Sequence, residues 1–188
     1  MNLGVLWPWL FYGWVGMETV IAIATRTRRS QGTLHDRGTQ QILWIAIVVS
    51  FFAAGWLAFP GADIRVDHQF LRMAAFALIL AGLAIRIAAI TTLGSSFSAN
   101  VAIRSTQSVQ RKGLYRFIRH PSYFGMEIIF LAAGIHAHNW ASLAIIFVLP
   151  TAAVLYRIHV EEAALLGAFG AEYADYMRTT KRLIPGVY

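Results

Sequence analysis

Arg119, His120, Tyr123 and Glu127 crowd the threshold of an apolar run in "GLYRFIRHPSYFGMEIIF", Gly113 to Phe130. Tyr123 and Glu127 are four residues apart, so a helix puts them on one face, and Arg119 continues the same line outward. A guanidinium, an imidazole, a phenol and a carboxylate beside apolar residues can enclose a charged small molecule. They can equally be ordinary membrane-edge residues: Arg119 and His120 on lipid headgroups, Tyr123 in an aromatic belt, and Glu127 paired with a buried group such as Arg86. A second constellation, Arg157 and Glu161 with Glu162 beside it, also falls at i and i+4. Its simplest reading is a surface ion pair worth a few tenths of a kcal/mol. If both stretches meet on one face, they instead close around a single ligand.

The elements that position these residues are apolar. Leu3 to Ala24 is long enough to span a bilayer and carries Trp7, Trp9, Tyr12 and Trp14 as an interfacial belt. Ile42 to Phe59 is a second span and Met73 to Leu93, which contains Arg86, a third. Ser122 to Ile135 and Trp140 to Ile158 form a helical hairpin around His136 to Asn139, with Pro121 suited to the first turn of its first helix and Pro150 inside its second. The tail returns to a soluble composition with one amphipathic helix from Glu161 to Thr180, in which Leu165, Leu166, Phe169, Tyr173 and Tyr176 recur at helical spacing. The predicted fold class is all-α: a polytopic membrane helical bundle of about five transmembrane helices with a C-terminal cytoplasmic amphipathic helix, residues 1–188 forming one domain.

Composition agrees. The chain of 188 residues is 57% hydrophobic and 13% charged, far from the balance of a soluble domain of this length. With no cysteine, disulfides, thiolate nucleophiles and cysteine-ligated metals are excluded. The net charge of +7 raises nucleic acid as a partner, but 13 of the 16 Lys and Arg residues lie within 26–37, 104–119 and 157–182, all on one side of a five-helix model. That is the positive-inside pattern, and it predicts an external N-terminus, a cytoplasmic C-terminus and no nucleic-acid partner. The charges of "RTRRS" follow the first helix, where a secretory signal has them in front, so the helix reads as retained. His136 and His138 fall in a short turn on the outer side and read as headgroup contacts rather than a metal site, which needs three or four ligands.

The two motifs are also familiar. "GLYRFIRHPSYFG", Gly113 to Gly125, followed by "RIHVEEAALLGAFGAEYADYMRTTKRLIPG", Arg157 to Gly186, resembles the isoprenylcysteine carboxyl methyltransferase family of integral membrane enzymes. The resemblance covers the last half of the chain and implies S-adenosylmethionine as cofactor. It assigns cofactor contacts to Tyr115, His120, Pro121, Ser122 and Tyr123, and to the polar loop before them at Gln107, Ser108, Val109, Gln110 and, further back, Asn100. Gln107 stands where eukaryotic members have a histidine. The resemblance places Glu161 on the cofactor and Arg157 on the substrate, both as catalytic residues.

The chemistry suits such residues. Displacement at a sulfonium methyl needs alignment and, for an ionised carboxylate, no general base. A guanidinium holds a carboxylate by two parallel hydrogen bonds, as an ammonium does not. The implied acceptor is lipophilic and arrives from the bilayer, a prenylcysteine-like carboxylate in the first place, with a phospholipid amine or a thiol as alternatives. A sterol-type membrane reductase is the rival enzyme: it shares the "RHP-x-Y" hairpin and a tail like "RLIPGVY", and Arg178, Lys181 and Arg182 would then meet the phosphate of NADPH. A non-enzymatic membrane subunit is the third class. No glycine-rich strand-to-helix turn of the soluble nucleotide-binding kind is present.

Overall fold

The computed structural model of the chain describes residues 3–25, 33–34, 36, 38–59, 61–98, 102–103 and 108–188. Among these, six α-helices follow in order: α1 Leu3–Ala24, α2 Thr39–Leu57, α3 His68–Leu93, α4 Pro121–His136, α5 Trp140–Phe169 and α6 Ala171–Thr179. Two short strands, β1 Thr33–Leu34 and β2 Ala102–Ile103, pair antiparallel and tie the loop after α1 to the loop after α3. Three helices, α2, α3 and α5, are long and apolar enough to cross a membrane. The chain is a multi-pass membrane protein. α1 has the length, at 22 residues, and carries Pro8 and Glu18 inside it. α4, at 16 residues, is shorter than the roughly 20 that cross a hydrocarbon core upright.

Capping and glycine chemistry set the boundaries that hydropathy misplaces. α3 starts at His68 rather than Met73, because the Asp67 side chain accepts from Phe70 N–H at 2.8 Å and caps a polar first turn. At the other end, the single tail helix expected from Glu161 to Thr180 is divided. α5 runs unbroken from Trp140 past Pro150 to Phe169, and the chain turns at Gly170, with φ +51° and ψ −123°, a conformation that side chains with a Cβ rarely adopt. α6 follows at once. Glu161 and Glu162 therefore belong to the rigid helix that carries Arg157.

Close packing holds the bundle. In lipid there is no solvophobic drive between helices, so small residues that let backbones approach matter most. At the α3–α4 crossing a Cβ on Gly82 would meet Gly125 O at 2.7 Å, and one on Gly125 would meet Gly82 O at the same distance. This contact brings Arg86 of α3 against the first turn of α4. There Arg86 Nη1 donates to Ser122 Oγ at 2.7 Å, and its Nε and Nη2 make a two-point ion pair with Glu18 of α1. Buried Trp14, edge-on to Phe130, seats α1 beside that ion pair. α2 lies along α5, where Ser142 Oγ donates to Ala54 O at 3.0 Å. The core where these helices meet includes Leu43, Ile47, Ile79, Ile129, Val154 and Ile158.

Glu127 differs from expectation. Its partner is Thr151 of α5, at 2.5 Å, and not Arg86. The reason is geometric: the face of α4 that carries Tyr123 and Glu127 looks onto α5, while Arg86 lies across the α3 crossing and is already neutralised by Glu18. In the α4–α5 turn Asn139 Oδ1 caps α5, accepting from Ala141 N–H at 3.0 Å. His136 stacks on Trp7 with ring centroids 3.9 Å apart, and His138 stacks on His68 at 4.7 Å. No group of residues suited to holding a metal occurs among the described residues.

Candidate functional site

The break at Gly170 folds α6 back against the loop that precedes α4. Tyr176 Oη donates to Tyr115 O at 2.6 Å, Arg119 N–H to Lys181 O at 2.8 Å, and His120 N–H to Arg182 O at 3.1 Å. The tail is thus strapped across the 115–120 segment, and between them, α5 and the end of α3 lies an open cavity of about 660 Å³. Its wall includes Ser108, Val109, Gln110, Tyr115, His120 and Glu161, six of the residues singled out by sequence. Gln110 shapes it: its amide donates to Thr92 O at 3.1 Å and accepts from Arg111 and Lys112 N–H at 3.0 Å, pinning the loop to the end of α3.

A second cavity, of about 480 Å³, opens between α1, α2, α3, α4 and α5. Leu43, Trp44, Ile47 and Met126 make it apolar, while Tyr123, Arg157, Gln40, Glu18 and Arg86 give it a polar side. Ser98 lines both cavities. So does one hydrogen-bonded chain reach from the second to the first: Arg157 Nε donates to Tyr123 Oη at 2.8 Å, and Tyr123 Oη donates to Glu161 Oε2 at 2.8 Å. A phenol has one proton, so both contacts are satisfied together only if Arg157 gives and Glu161 accepts, as their charges dictate. Arg157 Nη1 further donates to Asp36 Oδ1 at 2.9 Å and Thr39 Oγ1 at 2.7 Å.

The two adjacent glutamates divide their work. Glu161 faces the first cavity. Glu162 points between helix and tail, where it receives Arg119 Nε at 2.7 Å, Arg182 Nη2 at 2.9 Å and His120 Nε2 at 3.3 Å. Arg119 also donates from Nη1 to Met177 O, at 3.1 Å, and to Thr180 O. This buried cluster fastens the α4 start, α5 and the tail together. Burial pushes the Tyr115 and Tyr173 phenols well above the usual tyrosine range, with the Glu161 carboxylate adding to both. Burial raises Tyr176 to about 12 against the pull of Arg119 and Arg111. All three therefore present neutral phenols to the cavity. Tyr173 Oη is buried there with no hydrogen-bond partner among the described residues.

Three residues that the resemblance gives to the cofactor lie outside the first cavity, Tyr123 lining the second instead. Pro121 is the buried first residue of α4 and lines neither cavity, and Ser122 is turned to Arg86. Asn100 and Gln107 lie outside the described residues. Sequence reasoning did not single out Ser98, Asp36, Thr39, Tyr173 and Tyr176 as site residues. The two tyrosines were visible only as part of an amphipathic stripe, and Asp36 is 121 positions from Arg157, a separation that leaves no local signal.

Residues 74–167, half of the chain, match the isoprenylcysteine carboxyl methyltransferase (ICMT) family. The chain is 29% identical over 131 residues to a protein-S-isoprenylcysteine O-methyltransferase of Schizosaccharomyces pombe, covering 69% of this chain and 56% of that protein. It is 35% identical over 96 residues to methanethiol S-methyltransferase 2 of Bradyrhizobium diazoefficiens, covering 48% of this chain and 35% of the relative. The solved structure of a eukaryotic intramembrane Ras methyltransferase, isoprenylcysteine carboxyl methyltransferase, superposes with a TM-score of 0.61 at 26% identity, over 80% of this chain and 53% of the solved one. The chain thus spans little more than half the length of the yeast and solved relatives. With a family match that takes in both the Arg119-to-Tyr123 run and the Arg157-to-Glu162 run, and with a related membrane-helical fold, this chain belongs to the isoprenylcysteine carboxyl methyltransferase family.

Proposed function

We propose that the chain, acting as a single domain, is an integral membrane methyltransferase that uses S-adenosylmethionine to methylate a lipophilic acceptor, the carboxylate of a prenylcysteine-like molecule. The observation that carries this reading is the Tyr123 hydroxyl, which links Arg157 of the second cavity to Glu161 of the first. Two cavities, one among the helices and one beneath the tail, meeting at one hydrogen-bonded bridge suit a reaction between a lipid and a water-soluble cofactor.

The donor set of the first cavity fits S-adenosylmethionine. Glu161 offers a carboxylate to its ammonium, and Ser98, Ser108 and Gln110 offer polar groups to its hydroxyls. Tyr115, Tyr173, Tyr176 and Phe169 offer aromatic surface to a flat base or a sulfonium. The unpartnered Tyr173 Oη supplies a further polar atom. When bound, the cofactor supplies an electrophilic methyl on a sulfonium, which becomes a neutral thioether as the acceptor oxygen takes the methyl, with no proton transferred. The protein's part is alignment. Arg157 holds the acceptor carboxylate, Tyr123 fixes Arg157 relative to Glu161, and the walls of the second cavity receive the apolar tail and exclude water. A lipid acceptor is already dissolved in the bilayer and reaches this cavity laterally between helices.

The orientation proposed is five spans with the N-terminus outside and both cavities at the cytoplasmic face, as charge distribution favours. A thiol acceptor is the second reading, favoured by the likeness to the methanethiol S-methyltransferase. Titration of purified protein with S-adenosylhomocysteine and with NADPH tests the cofactor: binding of NADPH alone would point to a reductase, and binding of neither to a non-enzymatic subunit. Turnover of matched carboxylate, amine and thiol acceptors of equal lipophilicity then tests the substrate class, and a preference for amine or thiol sinks the carboxylate assignment.

A further inference from the structure

Arg157, placed above on the acceptor's carboxylate, already has a carboxylate. Asp36, from the segment that leads into α2, sits on its Nη1 at 2.9 Å, with Thr39 Oγ1 between them, accepting from Arg157 at 2.7 Å and donating to Asp36 at 2.5 Å. The two partners are not equally committed to this contact. The Arg157 side chain is 4% exposed, against 20% for Asp36. A buried guanidinium without an anion is costly, so Arg157 needs a counter-charge at all times. Asp36 does not need Arg157: its Oδ1 also accepts from the Thr39 hydroxyl and, at 3.3 Å, from Gln40 N–H, the donors of the first turn of α2, and water reaches it. Its carboxylate can give up the arginine and stay capped.

We propose that Asp36 is a resident competitor for Arg157, occupying the place of the acceptor's carboxylate, and that acceptor binding is an exchange of one carboxylate for another. This rests on the acceptor reading above. Exchange keeps one carboxylate on the buried Arg157 at every stage, whereas simple addition of a second would leave an excess negative charge beside it. It also makes the site selective by charge. An ionised acid can displace Asp36, whereas a neutral molecule has no charge with which to compete. The methyl ester product is such a molecule: once the carboxylate is esterified, Asp36 retakes Arg157 and the ester is left without its main polar contact. Asp36 is thus a specificity-determining residue that weakens acceptor binding and speeds product departure.

The test uses the full chain in lipid nanodiscs, loaded with S-adenosylhomocysteine, and an N-acylated S-prenylcysteine acid with its methyl ester as probes. Asp36→Asn removes the charge but keeps an oxygen for Thr39 and Gln40, and Asp36→Ser, which also keeps a capping oxygen, guards against one variant misfolding. The acid should bind both variants about tenfold more tightly than wild type, the scale of one charge-assisted contact at a partly hydrated group. KM for the acid should fall in parallel, and the ester should become a stronger product inhibitor during turnover. Unchanged or weaker acid binding, with the loss falling on kcat, would show that Asp36 only holds Arg157 in place and would overturn the exchange. If wild type binds S-adenosylhomocysteine but neither acid nor ester, the acceptor reading itself fails, and the exchange fails with it.

Discussion

Glu161 and Glu162 are neighbours on one helix, yet the structure assigns them separable consequences. Glu162→Gln keeps the size of the side chain and removes the charge that Arg119, Arg182 and His120 share, at 2.7, 2.9 and 3.3 Å. Arg119 is itself buried. Leaving such a cation without its counter-ion costs about 3–5 kcal/mol. For a chain of this length each kcal/mol lowers the melting midpoint by about 2–4 °C, so the melt should fall by on the order of 10 °C, and the tail should become protease-sensitive where it is strapped to the 118–120 segment. Glu161→Gln removes instead a cavity-lining carboxylate whose protein partner is the Tyr123 hydroxyl. Its loss should cost about 1.5–3 kcal/mol of interaction with a ligand ammonium, a ten- to hundredfold weaker affinity for S-adenosylhomocysteine, with a melt within a few degrees of wild type. Fluorescence-monitored melting and isothermal titration on the same two preparations decide it. If Glu162→Gln weakens binding without lowering the melt, or Glu161→Gln lowers the melt without weakening binding, the division of labour between them is wrong.

Arg157→Lys keeps the charge but cannot reach Tyr123, Thr39 and Asp36 together as the guanidinium does; kcat/KM for a carboxylate acceptor should fall by about ten- to hundredfold, roughly 1–3 kcal/mol, while S-adenosylhomocysteine affinity, read by titration, changes little. Single cysteines at Lys112 and Ala137 of this cysteine-free chain, both exposed positions, should react with an impermeant maleimide from opposite faces of sealed vesicles; reaction from the same face would refute the five-span topology. The folded-state pKa of Tyr176 is raised to about 12, and Tyr115 and Tyr173 are raised too, all above the unfolded value near 10. The stability linked to these neutral phenols is complete below pH 10 and is lost as pH rises through 12. Absorbance at 295 nm should show at least three of the seven tyrosines ionising only as the fold is lost; titration of all seven near pH 10 with the fold intact would contradict their burial.

The sequence alone determined the medium and the cast. Apolar runs near the length of a bilayer, and Lys and Arg gathered on alternate loops, specify membrane helices because length and charge are local properties that need no partner. The family resemblance of the two motifs implied Ser108 to Gln110, Tyr115, His120 and Glu161 as members of one site, and these residues line one cavity. Helix ends were less legible: α3 begins earlier than hydropathy suggests because Asp67 caps it, and the tail helix is divided because Gly170 permits a backbone that its neighbours do not. What only the tertiary structure decided is which charge meets which. Glu18 and Arg86 pair across 68 positions, Asp36 and Arg157 across 121, and Glu127 turns to Thr151. Those choices follow from the Gly82–Gly125 approach, which sets Arg86 on Ser122, and from α2 lying along α5, which brings Asp36 to Arg157. Helix crossings are fixed by packing between distant segments, and a buried ion takes whichever counter-charge that packing puts within reach.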